Sequence, residues 1–114
     1  AVFLPPRDDE NSLADTVKSL LNNNVYGNLS VDEICDKTYY SRSYLFREFK
    51  KETGVTVMAY YNALKIGEAK RLLSSTKFSV AEISALLFFD TPNYFSKQFK
   101  KSVGITPLAF RKSK

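Results

Sequence analysis

The chain has 114 residues, 14% of them aromatic, with seven Tyr, nine Phe, no Trp, no His and a single cysteine, Cys35. That length bounds one small domain or two closely packed subdomains, while the missing histidines and the lone thiol exclude an internal disulfide, multi-cysteine metal sites, the usual zinc ligands and Ser–His or Cys–His nucleophilic pairs. The net charge of +5 is unevenly spread, with three basic and seven acidic side chains in residues 1–40 against fourteen basic and five acidic in residues 41–114, so the basic body points to an anionic partner, nucleic acid first.

Residues 1–11 open with AVFLPPRDDE and read as a linker from a missing upstream domain, and a start at Ala1 rather than Met fits a fragment of something longer. No signal-peptide pattern and no apolar run of membrane-spanning length is present, so a soluble, cytoplasmic protein with no membrane partner is expected. Asn11 or Ser12 then caps a helix through Leu13, Val17, Leu20 and Leu21, spaced for one buried face and ended by Asn22, Asn23 and Asn24. Ser30 with Glu33 three residues on is a capping box. It opens a short helix that turns Val31, Ile34 and Cys35 inward, and Cys35 reads as a small buried hydrophobe rather than a reactive thiol. Residues 37–40 form a turn. Ser41 caps the next helix, which runs to about Thr53 with Leu45 and Phe49 on its buried side and Gly54 at its left-handed end. Glu48 and Glu52, spaced i, i+4 among lysines, read as solvated ion pairs and not as an acid–base site. No enzyme site assembles from this composition, and no metal or other cofactor is expected.

Residues 57–73, VMAYYNALKIGEAKRLL, read as a helix of about five turns and roughly 25 Å. Met58, Tyr61 and Leu64 line one side and Ala59, Ala63, Ile66 and Leu73 another, which predicts cover on two sides. Beyond it Ser79 and Glu82 form a second capping box, with Val80, Ile83 and Leu87 facing inward. Asp90 or Thr91 caps a helix that carries Tyr94, Phe95 and Phe99 and stops at Gly104, and Thr106-Pro107 starts a last short helix.

The segments on either side of the 57–73 helix are copies of one unit. Ser30-Val31-Asp32-Glu33-Ile34 is echoed by Ser79-Val80-Ala81-Glu82-Ile83, and Phe49-Lys50-Lys51 with Gly54, Thr56 and Ala59 by Phe99-Lys100-Lys101 with Gly104, Thr106 and Ala109. The offset grows from 49 to 50 residues, which places one insertion near residues 90–93, where a turn meets a helix. Each copy is a short helix, a tight turn and a second helix, the helix-turn-helix arrangement, whose second helix enters a DNA major groove. The expected architecture is all-α, about seven helices. It comprises a first helix-turn-helix subdomain at 12–56, a connecting helix at 57–74 and a second subdomain at 75–114.

With Leu45 and Phe49 buried, Arg42, Ser43, Phe46, Arg47 and Lys50 lie on the outward face. With Phe95 and Phe99 buried, Pro92, Asn93, Ser96, Lys97 and Lys100 do. Arg42, Ser43, Phe46, Arg47, Pro92, Asn93, Ser96 and Lys97 are the candidates for base contact, since Arg and Asn suit bidentate reading of base edges. Lys50, Lys51, Lys100 and Lys101, with the cap residues Ser30, Ser41 and Ser79 at helix N-termini, are the candidates for phosphates.

These residues resemble the DNA-binding domain of the AraC/XylS family of bacterial transcription regulators. The second copy carries the pattern at Ile83, Phe89, Tyr94-Phe95, Phe99-Lys100-Lys101, Gly104, Thr106-Pro107 and Arg111, and the first at Ser41, Leu45, Phe49-Lys50 and Gly54; together they span residues 12–111. The resemblance implies seven helices and sequence-specific binding to double-stranded promoter DNA. It also implies activation through RNA polymerase, and an effector or dimerisation domain upstream. Two departures stand out. Tyr39 and Phe88 occupy turn positions that are usually Gly, which argues against a left-handed residue at either turn, and Phe46 replaces a commonly polar residue, either meeting a thymine methyl or packing on a neighbour. The rival reading is a basic helical protein-interaction module that docks an acidic partner.

Overall fold

The computed structural model describes residues 12–113, and the linker expected at 1–11, with Asn11 as an alternative cap, lies outside them. Among the described residues there are seven helices and no strand: α1 Leu13–Asn22, α2 Val31–Thr38, α3 Arg42–Thr53, α4 Val57–Ser75, α5 Val80–Leu86, α6 Pro92–Val103 and α7 Pro107–Lys112. They fall into two compact units, the first holding residues up to Asn24 with Leu29–Tyr61, the second Val25–Asn28 with the residues from Asn62 onward.

Local hydrogen-bond chemistry sets the helix ends. Ser12, Ser41, Thr91 and Thr106 each accept, on the side-chain oxygen, a backbone N–H of the following first turn, and so cap α1, α3, α6 and α7. Both capping boxes close in both directions: Glu33 N–H donates to Ser30 Oγ at 3.1 Å and Ser30 N–H to Glu33 Oε1 at 2.9 Å, with 3.0 and 2.8 Å for Glu82 and Ser79. Gly54 and Gly104 end α3 and α6 at φ 85° and 99°, where a Cβ would be strained.

The two turn positions correct the expectation from sequence. Tyr39 (φ 65°) and Phe88 (φ 60°) are both left-handed despite their bulk. The tight turn dictates that backbone whatever the side chain, at a cost of roughly 1–2 kcal/mol, and the two residues are 59% and 53% exposed.

In the first unit Val17, Leu21, Ile34, Leu45, Phe49 and Val57 are fully enclosed. Tyr61 joins them: its hydroxyl donates to Asn24 O at 2.8 Å and accepts Leu29 N–H at 3.2 Å, which satisfies a buried phenol. Glu52 differs from its expected role as a solvated ion-pair partner, since its Oε1 accepts the Ala14 N–H at 3.2 Å, an acid meeting a first-turn donor of α1. Val31 and Cys35 are half-buried rather than core, and burial raises the Cys35 thiol's pKa, which disfavours the thiolate.

The second unit is organised by aromatic rings. Phe89 lies 5.0 Å from Phe95, Phe95 5.9 Å from Phe99 and Phe99 5.6 Å from Phe110, inside a core with Ile66, Ala69, Leu72, Leu73, Ile83 and Leu87. Arg111 Nε donates to Leu73 O at 3.0 Å and its Nη2 to Thr76 O at 3.2 Å, so this signature arginine satisfies carbonyls at the α4 C-terminus. Helix α4 departs from its expected two-sided cover: Met58, Ala59 and Ala63 are exposed, and Leu64 is half-buried. Its buried positions are Val57, Tyr61, Lys65, Ile66, Ala69, Leu72 and Leu73, a stripe that drifts round the helix. A lysine inside that stripe was not expected.

Candidate nucleic-acid interface

Each helix-turn-helix is locked by its inward residues, and the lock decides what faces out. Leu45 and Phe49 in α3 and Phe95 and Phe99 in α6 are all 0% exposed. Arg42, Ser43, Phe46, Arg47 and Lys50 are then exposed on α3, and Pro92, Asn93, Lys97 and Lys100 on α6, with Ser96 half-buried. Tyr94, read as part of the aromatic set of α6, is also 47% exposed.

The outward arginines are held by their neighbours. Arg42 Nη2 donates to Asp32 Oδ1 at 2.8 Å, and Arg47 Nε donates to Glu48 Oε2 at 3.1 Å while its guanidinium carbon sits 5.6 Å from the Tyr44 ring centre. The side chains of Arg42 and Asp32 are 57% and 81% exposed, and pairs so wet contribute only about 0–1 kcal/mol. Such pairs orient the guanidinium yet release it to a better acceptor. Asp32 is thus an ion-pair partner of Arg42 that the sequence reading missed; its place at the start of α2, with Arg42 at the start of α3, was the available signal.

Lys50 and Lys51 lie in the last turn of α3, Lys100 and Lys101 in that of α6, all exposed, where they also offset the carbonyl end of the helix. The Ser30, Ser41 and Ser79 hydroxyls are committed as acceptors to helix N–H groups, but each O–H remains a donor by chemistry.

A buried lysine lies in the second unit. Lys65 is 6% exposed, and its Nζ donates to Val25 O at 2.9 Å, Gly27 O at 2.6 Å and Leu87 O at 2.7 Å, with the Phe88 ring centre 5.8 Å away. Burial lowers its pKa to about 8. Nearby Glu68 accepts from Arg71 Nη2 at 2.6 Å and from the Tyr26 hydroxyl, and Arg71 holds its carboxyl below the usual range. Among the described residues no cluster of His, Cys, Asp and Glu is placed to hold a metal ion, and no helix is long and apolar enough to cross a membrane.

Two helix-turn-helix motifs, each presenting an exposed basic second helix, define the class: a helical DNA-binding domain. The comparisons agree. Residues 34–113 match the family described as "Helix-turn-helix domain". The HTH-type transcriptional activator RhaR of Enterobacter sp. (strain 638) is 30% identical over 107 residues, 94% of this chain and 38% of that protein. The Msm operon regulatory protein of Streptococcus mutans is 35% identical over 96 residues, 84% of this chain and 34% of that protein. A transcriptional regulator of Chromobacterium violaceum with an AraC-type DNA-binding domain superposes with a TM-score of 0.83 at 30% identity, covering 89% of this chain and 90% of that one. The DNA-binding domain of AdpA, solved with a target DNA, shares the fold with a TM-score of 0.82 at 22% identity, over 90% and 93% of the two chains. The chain belongs to the AraC family of helix-turn-helix DNA-binding transcription regulators. It spans little more than a third of the length of these curated relatives.

Proposed function

We propose that this chain reads promoter DNA sequence-specifically through both α3 and α6, each entering a major groove, and that it regulates transcription as an activator. The observation that carries the reading is one scaffold used twice with different outward chemistry. Arg42, Ser43, Phe46 and Arg47 stand on α3, and Pro92, Asn93, Ser96 and Lys97 on α6, all but Ser96 exposed. Two dissimilar faces imply two dissimilar boxes, about one DNA turn apart, rather than a palindrome. Arg47 offers a bidentate fork to guanine, Asn93 suits adenine and Phe46, 38% exposed, offers an apolar edge to a thymine methyl. Lys50, Lys51, Lys100, Lys101 and the Ser30, Ser41 and Ser79 hydroxyls meet phosphates. The similarity to RhaR, an activator, supports activation. Contact with RNA polymerase, a cytoplasmic location, and sensing or dimerisation by a separate domain complete the reading.

The test is a competition assay on a duplex selected from a random library. Arg47→Ala is expected to relax preference at one position of one box by about 1–3 kcal/mol, whereas Lys50→Ala weakens all sequences alike. An unchanged ranking of mutated duplexes with Arg47→Ala removes Arg47 as a base reader. Binding that ignores sequence altogether points instead to a basic module docking an acidic partner.

A further inference from the structure

Lysine is the side chain least suited to a helix core, and a buried ammonium persists only where every N–H is matched. At Lys65 three carbonyls match them: Val25 O, Gly27 O and Leu87 O. Leu87 is the C-cap of α5 and immediately precedes left-handed Phe88. The ammonium therefore grips the turn of the second helix-turn-helix at its tightest point. Three further contacts carry that grip toward α6: the Phe88 ring covers the ammonium, Phe89 N–H donates to Ser84 O at 3.0 Å, and the Phe89 ring packs on Phe95. Four residues after Leu87, Thr91 caps α6, and Pro92 and Asn93 begin it. The first copy uses another device at its turn, where the Thr38 hydroxyl donates to Ile34 O at 2.7 Å within α2 itself.

We infer that Lys65 is a positioning residue for the second recognition helix: its carbonyl-held ammonium fixes the α5–α6 turn and thereby the register in which Pro92, Asn93, Ser96 and Lys97 meet bases. This rests on the proposed base reading by α6. A buried methionine has the volume of lysine without its donors, so Lys65→Met leaves three carbonyls without their ammonium and frees the turn to shift. Lys65→Arg keeps the charge and the donors.

The experiment measures base preference position by position on the selected duplex, using the whole 114-residue chain, with circular dichroism as the check on folding. Asn93→Ala and Lys97→Ala first mark the positions read by α6, and Arg47→Ala those read by α3. Lys65→Met is expected to flatten preference at the α6 positions by about fivefold or more, the low end of a lost base contact. The α3 positions stay within about twofold, as for distant sites, and Lys65→Arg restores the α6 preference. If Lys65→Met does not fold, Lys65→Gln, neutral with two donors, carries the same comparison against Arg. Parallel loss at both sets of positions, or Met and Arg variants with equal α6 preference, overturns the positioning role. If Asn93→Ala and Lys97→Ala themselves leave every preference intact, the α6 reading fails and the inference with it.

Discussion

Tyr39 and Phe88 hold corresponding places in the two copies, and both carry the left-handed backbone that glycine would relieve. At Phe88 the relief is offset, because the ring covers the buried Lys65 ammonium: Phe88→Gly is expected to leave the unfolding free energy unchanged to within about 1 kcal/mol. Urea denaturation of the variant checks it. Glu68 gives the chain an acid-sensitive contact. Its carboxyl is held below the ordinary value of 4.5, chiefly by Arg71, so the folded state favours the ionised form. The stabilisation, small for so exposed a pair, is whole above that value and fades as pH falls through the folded pKa. Glu68→Gln is expected to lower stability at neutral pH and to shrink the difference from wild type in acid, measured by denaturation at pH 7 and near pH 3. At this scale sequence was least informative. Lys65 counted only as one more basic residue, because its burial is set by carbonyls 22 to 40 positions away. Its place on the stripe between Tyr61 and Ala69 was the one local hint.

The helices were legible because their ends are written in local chemistry: Ser-x-x-Glu at α2 and α5, Thr-Pro at α6 and α7, Gly after α3 and α6. Helix α4 was legible as an element but not as a surface, since small residues such as Ala59 and Ala63 suit a core and an exposed face equally. The short stretch Val25–Asn28 was not legible either; it belongs with the second unit although the residues flanking it belong with the first. The glycines allow a test at this scale. Gly54 and Gly104 have open space around a would-be Cβ but positive φ, whereas Gly67 has the same space inside α4 with an ordinary helical backbone. Gly67→Ala is therefore expected to stabilise by up to about 1 kcal/mol. Gly54→Ala and Gly104→Ala should each destabilise by about 1 kcal/mol. Thermal melts of the three variants check both signs, and a loss with Gly67→Ala would contradict the α4 geometry.

For the molecule as a whole, the duplication made the candidate faces readable, because the same inward spacing, Leu45 with Phe49 and Phe95 with Phe99, selects the outward residues in both copies. What duplication could not supply is the partner of each outward charge, such as Asp32 for Arg42. Because lysines and helix N-termini are assigned to phosphates, affinity for the selected duplex is expected to fall steeply and linearly with salt on a double-logarithmic plot, by about 0.9 per phosphate neutralised. Lys100→Ala reduces that slope by about one. Footprinting of the 114-residue chain on the same duplex decides whether α3 and α6 read DNA together. Two dissimilar protected boxes about one turn apart, with protection lost from one when half a turn of DNA is inserted between them, is the expected result; protection confined to a single box, or two boxes untouched by the insertion, contradicts it.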